Sequence, residues 1–150
     1  MADQKYWLWL TTRKGLGPVG ALAVLDRFTT PERAYYGEKE DYESLPLPPF
    51  AKNSLLDKSL DEPNRIMGEC DRLSVEIMTF QDAGYPCRLR QLADPPVVLY
   101  SKGKTFRFDE EAAIAVVGMR RCTAKSRERA ERFGMELASG GALVVSGIAE

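Results

Sequence analysis

The segment Gly118-Met119-Arg120-Arg121, with Lys125 close behind, has the residue types and spacing of an anion site. Glycine lets a ligand approach the backbone, and adjacent guanidiniums offer forked donors that match phosphate oxygens. The segment lies between an apolar run at 112–118 and a stretch of helical periodicity at 123–139, so the first amides of that helix face the same place. Residues 118–132 carry six basic and two acidic side chains, a local net charge of +4. Arginines at a helix N-terminus oppose its dipole, a small penalty that a bound anion relieves. A strand-to-helix turn also carries glycine for purely structural reasons, and a basic helix face can simply be solvated. The paired arginines tip the balance towards an anion.

Several chemistries are excluded. The chain has no histidine, which removes Ser-His-Asp triads, Cys-His dyads and His-ligated metal sites. A dinucleotide fingerprint needs glycines where Arg120 and Thr123 stand, and no Gly-Lys-Ser/Thr P-loop occurs anywhere. No cofactor and no metal are expected. Cys70, Cys87 and Cys122 are odd in number and widely spaced, which favours a reducing compartment over a disulfide framework or zinc cluster. Cys122 sits among cations but has no histidine to act as its base, so it is read as incidental.

Composition sets the class. With 44% hydrophobic and 29% charged residues in 150, the sequence is that of a globular protein. No stretch approaches the roughly 20 apolar residues of a membrane span, and no apolar leader follows the N-terminus. A cytoplasmic protein without a membrane partner is expected. The net charge of −1 conceals the +4 cluster, which an acidic segment at 38–62 (seven acidic, three basic) offsets.

The elements that must position these residues fall into two parts. Residues 1–73 read as helical. Gly15-Leu16-Gly17-Pro18 precedes an apolar face of Val19, Leu22, Ala23 and Leu25; Thr30-Pro31-Glu32 opens a short helix; and 38–62 is a proline-broken loop or a pair of short surface helices. Ile66, Cys70 and Leu73 then mark a helix over about 63–73. From 74 onward the period changes. Strands are expected at 75–80 and 96–100, a turn at 83–86, and a short helix bearing Leu89 and Leu92. The run at 112–118 reads as a parallel strand covered on both faces, followed by the helix and a second strand at 142–147. This is a βαβ unit, which places ligands at the carboxyl ends of its strands: Gly118 to Arg121, and Ser146-Gly147.

Two features of the helical part also bear on nucleic acid. Gly15-Leu16-Gly17 resembles the phosphate-binding hairpin of helix-hairpin-helix modules, with Arg13 and Lys14 beside it. Tyr6, Trp7, Trp9 and Leu10 offer either a base-stacking surface or, more commonly at such a position, core.

Taken together, these segments resemble the DNA-processing protein A (DprA, also called Smf) family. The resemblance runs along nearly the whole chain. It rests on Gly15-Leu16-Gly17-Pro18, on Tyr85-Pro86 with Leu89, Leu92, Asp94-Pro95-Pro96-Val97-Val98-Leu99-Tyr100 and Lys102-Gly103, on Ile114-Ala115-Val116-Val117-Gly118 with Arg120, and on Val144-Val145-Ser146-Gly147-Ile148-Ala149. It implies an α/β chain: an N-terminal all-α domain (SAM-like or helix-hairpin-helix-like) over 1–73, then the first part of a Rossmann-like parallel-sheet domain over 74–150. It also implies binding of single-stranded DNA in natural transformation, or competence, and in DNA recombination. Help in loading the RecA recombinase, a homodimer in the full-length protein and no catalytic activity are implied as well. The family's Gly-Ser-Arg loop falls on Gly118, Met119 and Arg120, and its Ser-Gly pair on Ser146 and Gly147. Met119 departs from the pattern, replacing a small polar residue with a bulky apolar one. The family continues past the position of Glu150 with Gly-Ile-Asp, a further α/β half and often a winged-helix domain.

One βαβ unit leaves a parallel sheet uncovered, so Val116, Val144 and their neighbours are expected to be exposed. The chain is then part of a longer one, or two copies complete each other's sheet. The site expected to bind nucleic acid is Gly118, Met119, Arg120, Arg121, Lys125, Ser146 and Gly147. The alternatives are a nucleotide- or phosphoribosyl-binding Rossmann-like enzyme, which lacks its usual Pro-Gly-Gly-x-Gly-Thr loop here, and a protein-binding module built on the helical part.

Overall fold

The computed structural model describes residues 3–104, 108–110 and 112–147. They form a mixed α/β chain in two compact units that divide near residue 105. The first unit has helices α1 (Gln4–Thr11), α2 (Gly17–Phe28), α3 (Pro31–Tyr35), α4 (Lys39–Glu43), α5 (Pro49–Ser54) and α6 (Asp61–Leu73). Strands β1 (Glu76–Thr79) and β2 (Val98–Ser101) follow, with the short α7 (Cys87–Arg90) between them.

Five consecutive residues of α1, from Tyr6 to Leu10, are buried. A helix apolar all round must be enclosed on every side, and α1 is packed by α2, α3, α6, β1 and β2. Trp7, Trp9 and Leu10 are therefore core rather than a stacking surface for bases. Before α2 the chain turns through Gly15 and Gly17, at φ +74° and +60°. Thr30 caps α3, its hydroxyl accepting from the Arg33 amide at 3.2 Å. The acidic segment does hold a pair of short helices, α4 and α5. They are more than surface decoration, because Tyr42, Leu45, Ala51 and Leu55 enter the core. On α6, Cys70 is buried, Ile66 half-buried and Leu73 exposed.

Two cations fasten the polar link between α5 and α6. The Arg13 guanidinium is buried and donates to the carbonyls of Trp9 (3.1 Å), Ser54 (3.3 Å) and Asp57 (2.6 Å). Trp9 Nε1 donates to the same Asp57 carbonyl at 2.7 Å. The Lys58 ammonium faces the rings of Trp9, Tyr35 and Tyr42 at 5.1, 5.5 and 4.9 Å, and donates to the Gly37 carbonyl at 3.1 Å. Burial, with a smaller push from Arg13, lowers Lys58 to about 8. Burial, reinforced by Asp41, pushes Tyr42 up to about 12.

β1 and β2 pair antiparallel, Glu76 opposite Ser101 and Thr79 opposite Val98. Val97 and Val98 belong to the helical core. Asp82 closes the turn after β1 by accepting from the Thr79 amide and hydroxyl at 2.6 and 2.9 Å. Tyr85 is buried, and its hydroxyl donates to the Pro96 carbonyl at 2.7 Å, so Tyr85-Pro86 and Pro95-Pro96 brace one another. Leu89 lies on α7, whereas Leu92 falls beyond its end. Helices give way to strands near the expected division at 73/74, while compactness groups β1 and β2 with the helices.

The second unit contains β3 (Ala113–Ala115), α8 (Ala124–Ser139) and β4 (Leu143–Val145). The two strands pair in parallel with Ala113 opposite Leu143 and Ala115 opposite Val145. The expected strand–helix–strand order is present, but β3 is shorter than its apolar run. It ends where β4 stops offering partners. Coverage on both faces is not found either: none of the described residues of this unit is buried. Ile114, Val117 and Val145 are exposed and Val116 and Val144 half-exposed, because a single helix screens one face of a two-stranded sheet. Among the described residues no helix is long and apolar enough to cross a membrane.

Candidate functional site

Parallel pairing decides where the sequence-derived residues go. The last rung of the β3–β4 ladder is the Val116 amide donating to the Val145 carbonyl at 2.9 Å. Beyond it one strand leads into 117–123 and the other into Ser146-Gly147, so both carboxyl ends open on the same edge. Gly118, Met119, Arg120 and Arg121 lie on the first connection, and Lys125 in the first turn of α8. Ser146 and Gly147 follow β4. All seven are exposed. Ile148 and Ala149, which carry part of the family resemblance, lie outside the described residues.

The edge is rich in donors and carries no carboxylate among residues 117–125. Thr123 caps α8, its hydroxyl accepting from the Ser126 amide at 3.2 Å. Among the described residues, the amides of 117–123 and of Ala124 and Lys125 find no backbone acceptor. The first turn of α8 contains no acidic residue to take up the helix dipole. Arg120, Arg121 and Lys125 form no ion pair among the described residues, in contrast to Arg65 and Arg72 on α6, each held by a glutamate at 2.7 Å.

The glycines add a separate argument. Among the described residues a Cβ at Gly118 or Gly147 would meet nothing within 4 Å, and neither backbone has a positive φ. Neither torsion nor contact with the described residues requires glycine at these positions. The bare backbone at these two positions leaves room for a ligand to approach it. Met119 is 81% exposed. Cys122 is exposed. Among the described residues no group of three or more His, Cys, Asp or Glu side chains is placed to hold a metal ion.

The helical hairpin is a different case. Gly15 and Gly17 have the left-handed backbone that a tight turn requires. Arg13, however, turns inward and is consumed by carbonyls and by Asp57, which leaves Lys14 as the exposed cation there. The Asp57–Lys58 fastening has no sequence signal, since the two residues sit in an acidic, proline-broken stretch whose composition reads as solvated.

Against this geometry, similarity to known proteins is specific. The model of the family described as DNA recombination-mediator protein A matches residues 76–150, half of the chain. The chain belongs to that family. The match begins where the helices give way to strands and contains the whole β3–α8–β4 unit with its edge. Protein Smf of Synechocystis is 25% identical over 162 residues, covering 99% of this chain and 38% of the relative. The DNA processing protein DprA of Bacillus subtilis is 27% identical over 85 residues, covering 57% of this chain and 29% of the relative. The chain thus spans well under half the length of the curated relatives that it matches.

Proposed function

We propose that this chain is a single-stranded DNA-binding part of a recombination mediator. The edge formed by Gly118, Met119, Arg120, Arg121, Lys125, Ser146 and Gly147 would grip backbone phosphates. The observation that carries this reading is the pair Gly118 and Gly147. Among the described residues a Cβ at either position would meet no atom, and both lie on an edge whose cations have no ion pair and whose amides have no backbone acceptor. Such a site reads phosphate rather than base edges, so it is indifferent to sequence and sensitive to salt.

The same reading takes 1–73 as the SAM-like or helix-hairpin-helix-like domain and 74–150 as the opening part of a Rossmann-like domain. Its physiological setting would be the cytoplasm, in processing incoming DNA for transformation and recombination. RecA would be the protein partner and a homodimer the full-length state, with no catalytic step. Family membership supports the DNA-processing role, and the edge supplies a physical means of contact.

The test is oligo-dT binding by fluorescence anisotropy across a salt series. Three cations on phosphates give a slope of log K against log salt of about −2, since each phosphate neutralised on a single strand contributes roughly −0.7. A mixed-sequence oligonucleotide should bind equally well. A salt-independent affinity, or a larger thermal shift with nucleoside monophosphates than with oligo-dT, would overturn the reading in favour of a nucleotide-binding enzyme.

A further inference from the structure

The edge accounts for Lys125, Arg120 and Arg121 but leaves the other cations of α8 unused. Successive residues of an α-helix are rotated by about 100°. Lys125, Arg129 and Arg132 then fall within an arc of roughly 60°, whereas Arg127 lies on the opposite side of the helix. All four are exposed. The apolar side chains Ala130, Phe133 and Leu137 form a separate sector, and α8 packs on β4. The three aligned cations therefore make a flank that begins at the edge, in the first turn, and runs away from it for about 10 Å.

Charge satisfaction sets this flank apart from the other long charged helix. On α6, Arg65 and Arg72 are each 2.7 Å from a glutamate three residues earlier, so both arginines are paired on their own helix. On α8, Lys125 and Arg129 have no ion pair among the described residues, and Arg132 has a long contact, 3.7 Å, to Glu136. Glu136 lies on the same flank one turn beyond Arg132 and closes it with a negative charge. Glu128 borders the flank on one side, about 40° from Arg132, so the three cations outnumber the one carboxylate beside them between the edge and Arg132.

We propose that Lys125, Arg129 and Arg132 form a track for the sugar–phosphate backbone of a strand leaving the edge, two contacts longer than the edge alone. The inference rests on the proposed single-stranded DNA binding and adds its direction, its extent and two residues. Charge complementarity selects the occupant: a single strand repeats its phosphates at regular intervals, which matches cations spaced along about 10 Å of one helix side and continuous with the edge.

The experiment measures salt dependence of oligo-dT binding by the 150-residue chain and its variants, using a four-nucleotide and a twelve-nucleotide probe. For the longer probe, the double variant R129Q/R132Q should lose about 1.4 from the magnitude of the slope, with roughly tenfold weaker binding near 0.1 M salt. It should bind the shorter probe as the parent does. R129K/R132K should restore the slope, which separates lost charge from damaged folding, and R127Q should behave as the parent. An unchanged slope in R129Q/R132Q, or an equal loss in R127Q, overturns the track and leaves the edge standing. Loss in R129Q/R132Q together with parent-like binding by R120Q overturns the edge and leaves the helix flank. No binding by the parent chain at any salt overturns both.

Discussion

Arg13 Nη1 and Asp57 Oδ2 lie 2.9 Å apart, yet the arginine side chain is 6% exposed and the aspartate 61%. The two partners of this bridge therefore do unequal work. Arg13 supplies donors to the carbonyls of Trp9, Ser54 and Asp57 and rests against the Trp9 ring. Asp57 adds a solvent-facing carboxylate. Arg13→Met should cost about 2–4 kcal/mol, because buried carbonyls lose their donors, while Asp57→Asn should cost about 1 kcal/mol or less. Urea unfolding of the two variants measures the asymmetry; equal losses would contradict it.

Lys58 gives the first unit a pH signature. Its folded-state value is lowered from 10.5 to about 8. The unfolded chain then binds more protons between those values, so stability should rise as pH increases from about 8 towards 10. Tyr42 acts in the opposite sense higher up. Raised to about 12, it keeps its proton when the unfolded tyrosine has lost its own, so stability should fall above about pH 10. Melting temperatures between pH 7 and 11 should pass through a maximum, and Lys58→Met should remove the rising limb.

Gly15 and Gly118 separate folding from binding. At Gly15 the backbone is at φ +74° and a Cβ would lie 2.5 Å from Phe50 Cε1. Gly15→Ala should therefore destabilise the first unit by about 1–2 kcal/mol, and Phe50→Ala should recover only the steric share. Gly118→Ala should leave the melting temperature unchanged, because a Cβ there meets nothing, yet weaken oligo-dT binding severalfold. Calorimetry and anisotropy on the same two proteins read both effects. A stability loss at Gly118 would assign that glycine to the fold.

Legibility in the sequence followed periodicity and failed where tertiary context decides. The order strand–loop–helix–strand after residue 112 was readable from the apolar runs at 112–118 and 142–147 and the helical period between them. The length of β3 was not, since a strand ends where its partner ends, and Val145 lies far off in sequence. The edge residues were legible as a set because parallel pairing is a topological rule that needs no coordinates. The inward turn of Arg13 was not: nothing next to it in sequence announces Asp57, and an arginine beside a lysine and a Gly-Leu-Gly turn looks solvated. Tyr42, Leu45, Ala51 and Leu55 were hidden for the same reason, as isolated apolar residues in short helices of an acidic stretch.

The central claim is that the edge, rather than basic charge at large, holds the nucleic acid. Arg120 and Arg127 are both exposed arginines of the same unit; the first stands on the edge and the second on the helix side away from it. The most direct measurement is the dissociation constant for an oligo-dT twelve-mer of Arg120→Ala and Arg127→Ala at one salt concentration. Loss of a charged hydrogen-bonding group at a phosphate costs about 1.5–3 kcal/mol, so Arg120→Ala should weaken binding by roughly 10- to 100-fold. Arg127→Ala should weaken it by about twofold or less. Equal weakening by the two substitutions would contradict the assignment of the edge as the binding site.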